Sequence, residues 1–99
     1  MIPGGVLVNL RDIIKERVLI LDGAYGTEFY RRGYKGEVPV DVLNIENPQM
    51  VLQLQREYVE AGADLLLTNT FNSNPLKMRR FGFSASDVEK LIKLSLIHI

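Results

Sequence analysis

Residues 18–29 read VLILDGAYGTEF, a run from Val18 to Phe29 in which four apolar residues stop at Asp22 and two glycines, Gly23 and Gly26, follow at once. The continuous, branched stretch Val18–Leu21 has the pattern of a strand buried on both faces, as in a parallel sheet. In parallel α/β architectures the carboxyl ends of the strands carry the ligands, because the loops there vary while the sheet and helices hold them. Asp22 then marks the rim of a site. Gly23 and Gly26 let backbone approach a ligand or take up positive φ, and the exposed N–H groups of such a turn suit an anion such as a carboxylate. A plainer alternative is that Asp22 caps the following turn and Gly23 only bends the chain. The local pattern leaves both open. It is no dinucleotide fingerprint, since G-x-G-x-x-G is missing, and no P-loop, since no lysine follows Gly26.

The same pattern returns at residues 64–71, DLLLTNTF, where three leucines run into Thr68, Asn69 and Thr70. Around these two stretches the helix signals are clear. Asn9 caps a short helix from Leu10 to about Glu16, with Asp12 in its first turn. Residues 23–46 form a long, glycine-dotted connection, within which Thr27–Arg32 can make a helical turn or two. Asn47-Pro48 opens a helix with Val51, Leu54, Tyr58 and Ala61 on one face, and Gln53, Gln55, Arg56, Glu57 and Glu60 on the other. Gly62 ends it. Asn74-Pro75 starts a further short helix closed by Gly82, and Ser86-Asp87-Val88-Glu89 reads as a capping box. Strands alternating with helices predict parallel pairing through right-handed crossovers, an α/β fold.

Composition narrows the function classes. In 99 residues, 12 Lys and Arg balance 12 Asp and Glu, so neither a nucleic-acid footprint nor an anionic-membrane partner is indicated. The basic group Lys77, Arg79, Arg80 reads as a solvated helix face. No apolar stretch has the length of a membrane span, and the start, MIPGGVLVNL, lacks the basic opening of a signal peptide. A cytoplasmic location is the expectation. With no cysteine, the chain holds neither disulfide nor thiolate metal site. His98 is the single histidine and has no carboxylate neighbour in sequence. The tail Leu94–Ile99 (LSLIHI) breaks the amphipathic pattern begun at Val88. One back-translation of it matches a transposon end used to prepare sequencing libraries, so residues 94–99 are set aside as a sequencing-adapter scar.

Among the polar residues at the two strand ends, Asn69 and the flanking threonines either satisfy the turn or touch a ligand. Phe71 reads as core, and the four tyrosines carry no periodic message. Neither paired carboxylates at catalytic spacing nor a Ser/His/Asp set is present.

Taken together, LDGAYGTEF, NIENPQMVLQLQREYVEAGADLLLTNTF and NPLKMRRFG resemble the homocysteine S-methyltransferase family, above all the homocysteine-binding module of cobalamin-dependent methionine synthase and its bacterial relatives. The resemblance spans roughly residues 10–93. It implies an N-terminal fragment, residues 1–93, made of the first two βα units of a (β/α)8 TIM barrel, a fold of usually ~250 residues. It implies a zinc-dependent enzyme that methylates homocysteine to methionine, with the zinc on cysteines that lie beyond this chain and with cobalamin in an attached module. Zinc would lower the pKa of the homocysteine thiol and make it a nucleophile for the donor's methyl group. By the same resemblance Asp22 holds the α-ammonium of homocysteine and the backbone at Gly23 and Ala24 meets its amino-acid end; Thr68, Asn69 and Thr70, at the end of the second run, are the remaining candidate substrate contacts. No catalytic or metal-binding residue is expected among these 99, so the chain alone is expected to be inactive. Asn72 stands where betaine-using relatives are aromatic, and tryptophan is absent. A quaternary ammonium donor needs an aromatic cage, so methyltetrahydrofolate acting through cobalamin is the expected donor, with S-methylmethionine open. Two other readings remain: a small α/β protein that binds an amino acid or anion without catalysis, and a non-functional piece of an open reading frame.

Overall fold

The computed structural model describes residues 9–98, with side chains through residue 96. The Pro-Gly-Gly turn expected near the N-terminus lies outside the described residues. Among the described residues six α-helices follow one another: α1 (Leu10–Glu16), α2 (Gly26–Arg31), α3 (Leu43–Glu46), α4 (Pro48–Glu60), α5 (Pro75–Met78) and α6 (Ala85–His98). Short 3-10 turns lead into α3 at Val40–Val42 and out of α5 at Arg79–Phe81.

The expected α/β barrel start is corrected here. Among the described residues there is no strand, only a single parallel bridge between Leu21 and Leu65. Backbone bonds flank it, with Asp22 N donating to Leu65 O at 3.0 Å and Leu65 N to Ile20 O at 3.1 Å. The ladder stops on both sides because carboxylates take the next N–H groups. Asp64 Oδ2 accepts from Ile20 N at 3.0 Å, and Asp22 Oδ2 accepts from Leu67 N at 3.0 Å. Side chains that bond backbone in this way compete with regular secondary structure. The Ile20 bond, with help from Arg17, also holds the Asp64 carboxyl below its usual range. The apolar runs are consequently not sandwiched: Val18 is 86% exposed and Leu67 57%.

The core lies among the helices instead. Phe29 of α2, Val40 and Leu43 around the 3-10 turn, and Val51 and Leu54 of α4 form one buried cluster, backed by Tyr25, Tyr34, Met50 and Tyr58. Burying a side chain such as Phe29 completely is worth about 1.5–3 kcal/mol. Met78, Val88 and Leu91 form a second cluster between α5 and α6. Arg32 ties α2 to α4 by pairing with Glu57, whose carboxyl it holds below the usual range.

The helix boundaries follow their caps. Asn9, Asn47 and Asn74 accept from the first-turn N–H groups of Arg11, Met50 and Lys77, and Gly62 and Gly82 adopt the positive φ that ends a helix (110° and 85°). At α6 the capping box sits two residues earlier than its sequence reading. Ser84 Oγ accepts from Asp87 N at 3.2 Å, and Asp87 Oδ2 accepts from Ser84 N at 2.8 Å. Ser84→Ala should therefore cost about 1 kcal/mol of stability in urea denaturation, whereas Ser86→Ala should stay within ~0.5 kcal/mol. The opposite ranking would return the cap to Ser86. The α6 helix continues through His98, across the Lys93–Leu94 boundary drawn from the nucleotide argument, and Ser95 within it is buried.

Candidate functional site

Asp22 leaves the bridge at the point where the chain turns toward α2, and its carboxylate is bound asymmetrically. Oδ2 accepts from Tyr25 Oη at 2.5 Å and from Leu67 N at 3.0 Å. Oδ1 is sealed from solvent and has no hydrogen-bond partner. A buried carboxylate oxygen without a donor is costly, so such an atom calls for a partner that the chain does not supply.

Next to it lies a cleft of about 250 Å³ lined by Gly23, Tyr25, Gly26, Val40, Leu67 and the whole segment Thr68–Asn72. Its volume falls below the roughly 300–1,000 Å³ of pockets for drug-sized ligands, which suits something closer to an amino acid. Of the six residues singled out from sequence, Gly23, Thr68, Asn69 and Thr70 line this cleft, while Asp22 and Ala24, the chain neighbours of Gly23, are not part of its lining. Helix and bridge together thus bring both halves of the expected site to one place.

Their individual roles differ from the sequence expectation. Gly23 and Gly26 have no positive φ. At Gly23 a Cβ would lie 2.8 Å from Tyr58 Oη, so the missing side chain makes room for the phenol that donates to Ala24 O at 2.6 Å. Asn69 is buried and its N–H groups are engaged. Its Nδ2 donates to Val40 O and to Asn44 Oδ1, each at 3.0 Å, and its backbone N–H donates to Ser95 Oγ at 2.8 Å. Asn44 Nδ2 returns a bond to Asn69 O at 2.8 Å. The amide nitrogen of Asn69 is thus committed to fixing the cleft wall. Thr68 and Thr70 share a hydroxyl bond at 2.6 Å. Phe71, expected in the core, is 92% exposed with Lys77 Nζ 5.6 Å from its ring centroid.

Four residues escaped the sequence analysis. Asp41 is completely buried and accepts from Asn72 N (2.9 Å), Asn72 Nδ2 (3.1 Å) and Ser73 Oγ (2.5 Å), anchoring the loop below the cleft. A lone carboxylate inside the apolar run Pro39–Leu43 was the available signal. Asn44 offered none. Gln55, assigned to the solvent face, is buried and donates from Nε2 to Leu67 O at 3.3 Å. Its position, four residues after Val51 and three before Tyr58, belongs to the inner face. Tyr25 stacks on Tyr58 with ring centroids 6.1 Å apart and planes at 11°. Burial, and then the bond to Asp22, hold its phenol well above the usual tyrosine range, so it remains a proton donor at any physiological pH.

No cluster of three or more His, Cys, Asp or Glu side chains that could hold a metal exists among the described residues. No helix among them is long and apolar enough to cross a membrane. A family model described as homocysteine S-methyltransferase matches residues 19–97, a span that contains the bridge, the cleft and every residue of the candidate site.

Proposed function

The chain belongs to the homocysteine S-methyltransferase family, and from that premise we propose that it supplies the part of a methyltransferase site that grips the amino-acid end of homocysteine. Methyl transfer to homocysteine is the activity the family implies. The reading rests on Asp22 Oδ1, a buried and unpartnered carboxylate oxygen of a residue whose neighbour Gly23 and hydrogen-bond partners Tyr25 and Leu67 line the cleft. An ammonium group meets that need with both charge and N–H donors, and charge-assisted bonds of this kind are the strong ones. Backbone at Gly23 and Ala24 approaches the same end of the ligand, and the hydroxyls of Thr68 and Thr70 are the polar groups available to its carboxylate.

Zinc does not fit the residues present: thiolate ligands are absent from the sequence, and the described residues offer no ligand cluster. In this proposal the metal that activates the thiol sits on residues outside this chain, as does any cobalamin-carrying module, and the chain by itself does not turn over. Methyltetrahydrofolate acting through cobalamin remains the preferred donor, because the cleft has a single aromatic ring besides Tyr25, that of Phe71, and no cage for a quaternary ammonium. We place the reaction in the cytoplasm.

The experiment is a homocysteine titration of the isotope-labelled chain followed through its backbone amides. Shifts should concentrate at Gly23, Ala24, Leu67, Thr68 and Thr70. Shifts confined to the exposed face of α6, or none at saturating ligand, would remove the site.

A further inference from the structure

We propose that Tyr25 is the positioning residue of the ammonium site: by occupying Asp22 Oδ2 with its hydroxyl it makes Oδ1 the one oxygen left for a ligand. This rests on the reading of Asp22 given above and adds a residue whose function is not to touch the ligand. A phenol carries one proton, yet Tyr25 Oη lies 2.5 Å from Asp22 Oδ2 and 2.7 Å from Leu67 O. The carboxylate has the stronger claim, since bonds to an ionised acceptor are roughly twice as strong as neutral ones. Leu67 O is not left bare by this, because Gln55 Nε2 donates to it. Oδ2 then holds two donors, the phenol three residues along the turn and Leu67 N 45 residues away in sequence.

The phenol is itself held from three sides. Its ring stacks on Tyr58, meets Phe29 edge-on at 78°, and packs against the main buried cluster. Carboxylate rotation is the freedom this removes. Without the phenol, Leu67 N alone would hold the carboxylate, its plane could tilt, and the position of the unpartnered oxygen would no longer be fixed.

The test compares homocysteine with 4-sulfanylbutanoate, which keeps the thiol and carboxylate but lacks the amine, on the wild-type chain and on Tyr25→Phe. Calorimetry should give wild type a clear preference for homocysteine. Tyr25→Phe should weaken homocysteine binding by about 3- to 10-fold, the worth of one hydrogen bond, and leave the analogue unchanged. Equal binding of both ligands by wild type, or none, would overturn the ammonium reading itself. A preference present in wild type and intact in Tyr25→Phe would overturn the assignment of Tyr25 alone, as would an equal loss for both ligands. Tyr34→Phe, which removes a hydroxyl bonded to Val38 O away from the cleft, controls for general loosening. Should Tyr25→Phe fail to fold, the wild-type hydroxyl proton gives the second measurement. A downfield Tyr25 signal should persist when homocysteine binds, and its disappearance on binding would count against the proposal.

Discussion

Asp41→Ala is expected to destabilise the chain by more than about 3 kcal/mol in urea denaturation followed by far-UV circular dichroism. Asp41 has no exposed surface, and its two oxygens accept from three donors: the backbone and side chain of Asn72 and the hydroxyl of Ser73. Each bond to a charged acceptor is worth about 1.5–3 kcal/mol net, and donors left unpaired inside the protein add their own desolvation cost. Even with strong non-additivity, the loss is a large share of the roughly 5–15 kcal/mol that holds a domain folded. The consequence reaches the cleft, because Asn72 is part of its lining. Asp41→Asn should fall between: one oxygen remains to accept, while the amide nitrogen faces donors. A shift below ~0.5 kcal/mol in Asp41→Ala, the size of a surface change, would mean that the loop is held by something else.

The starts of α1, α2, α4, α5 and α6 were legible from sequence to within a residue or two, since caps are local and their chemistry is written in single residues, whereas α3 inside the connection 23–46 and the run of α6 to His98 were not. Asn9, Asn47-Pro48, Gly62, Asn74-Pro75 and Gly82 each do what their type implies. Ser84 was missed because Ser86 offers a competing box two residues later, and only the geometry separates them. The strands were the failure. Val18–Leu21 and Leu65–Leu67 have the apolar content of buried strands, but content does not create a ladder. Asp22 and Asp64, each at one end of a run, divert backbone N–H groups to their own carboxylates and leave a single bridge. What periodicity does not encode is where a side-chain acceptor outcompetes a distant carbonyl.

For the site, the neighbourhood was legible and the division of labour was not. Two polar run-ends at Asp22 and at Thr68–Thr70 do meet at one cleft. Yet Asn69, chemically the most suggestive of them, spends its amide on Val40 and Asn44. Tyr25, without a pattern in sequence, holds the carboxylate. Long-range partners such as Leu67 for Tyr25, 42 residues apart, leave no trace in a one-dimensional reading.

Asp22→Asn tests the proposed seat of the homocysteine ammonium at Asp22 Oδ1 with little disturbance to the fold. Tyr25 Oη and Leu67 N both donate to the Oδ2 position, so the oxygen of the new amide should settle there and its NH2 group should replace Oδ1. The clamp survives, while the orphaned acceptor becomes a donor facing a cation. Losing a charge-assisted bond costs about 1.5–3 kcal/mol, which weakens binding by about 10- to 100-fold. Calorimetric titration of homocysteine into wild type and Asp22→Asn, with a thermal melt of each, is the measurement. The expected result is that loss of affinity at a nearly unchanged melting temperature. Homocysteine binding of equal strength in both proteins would contradict the claim.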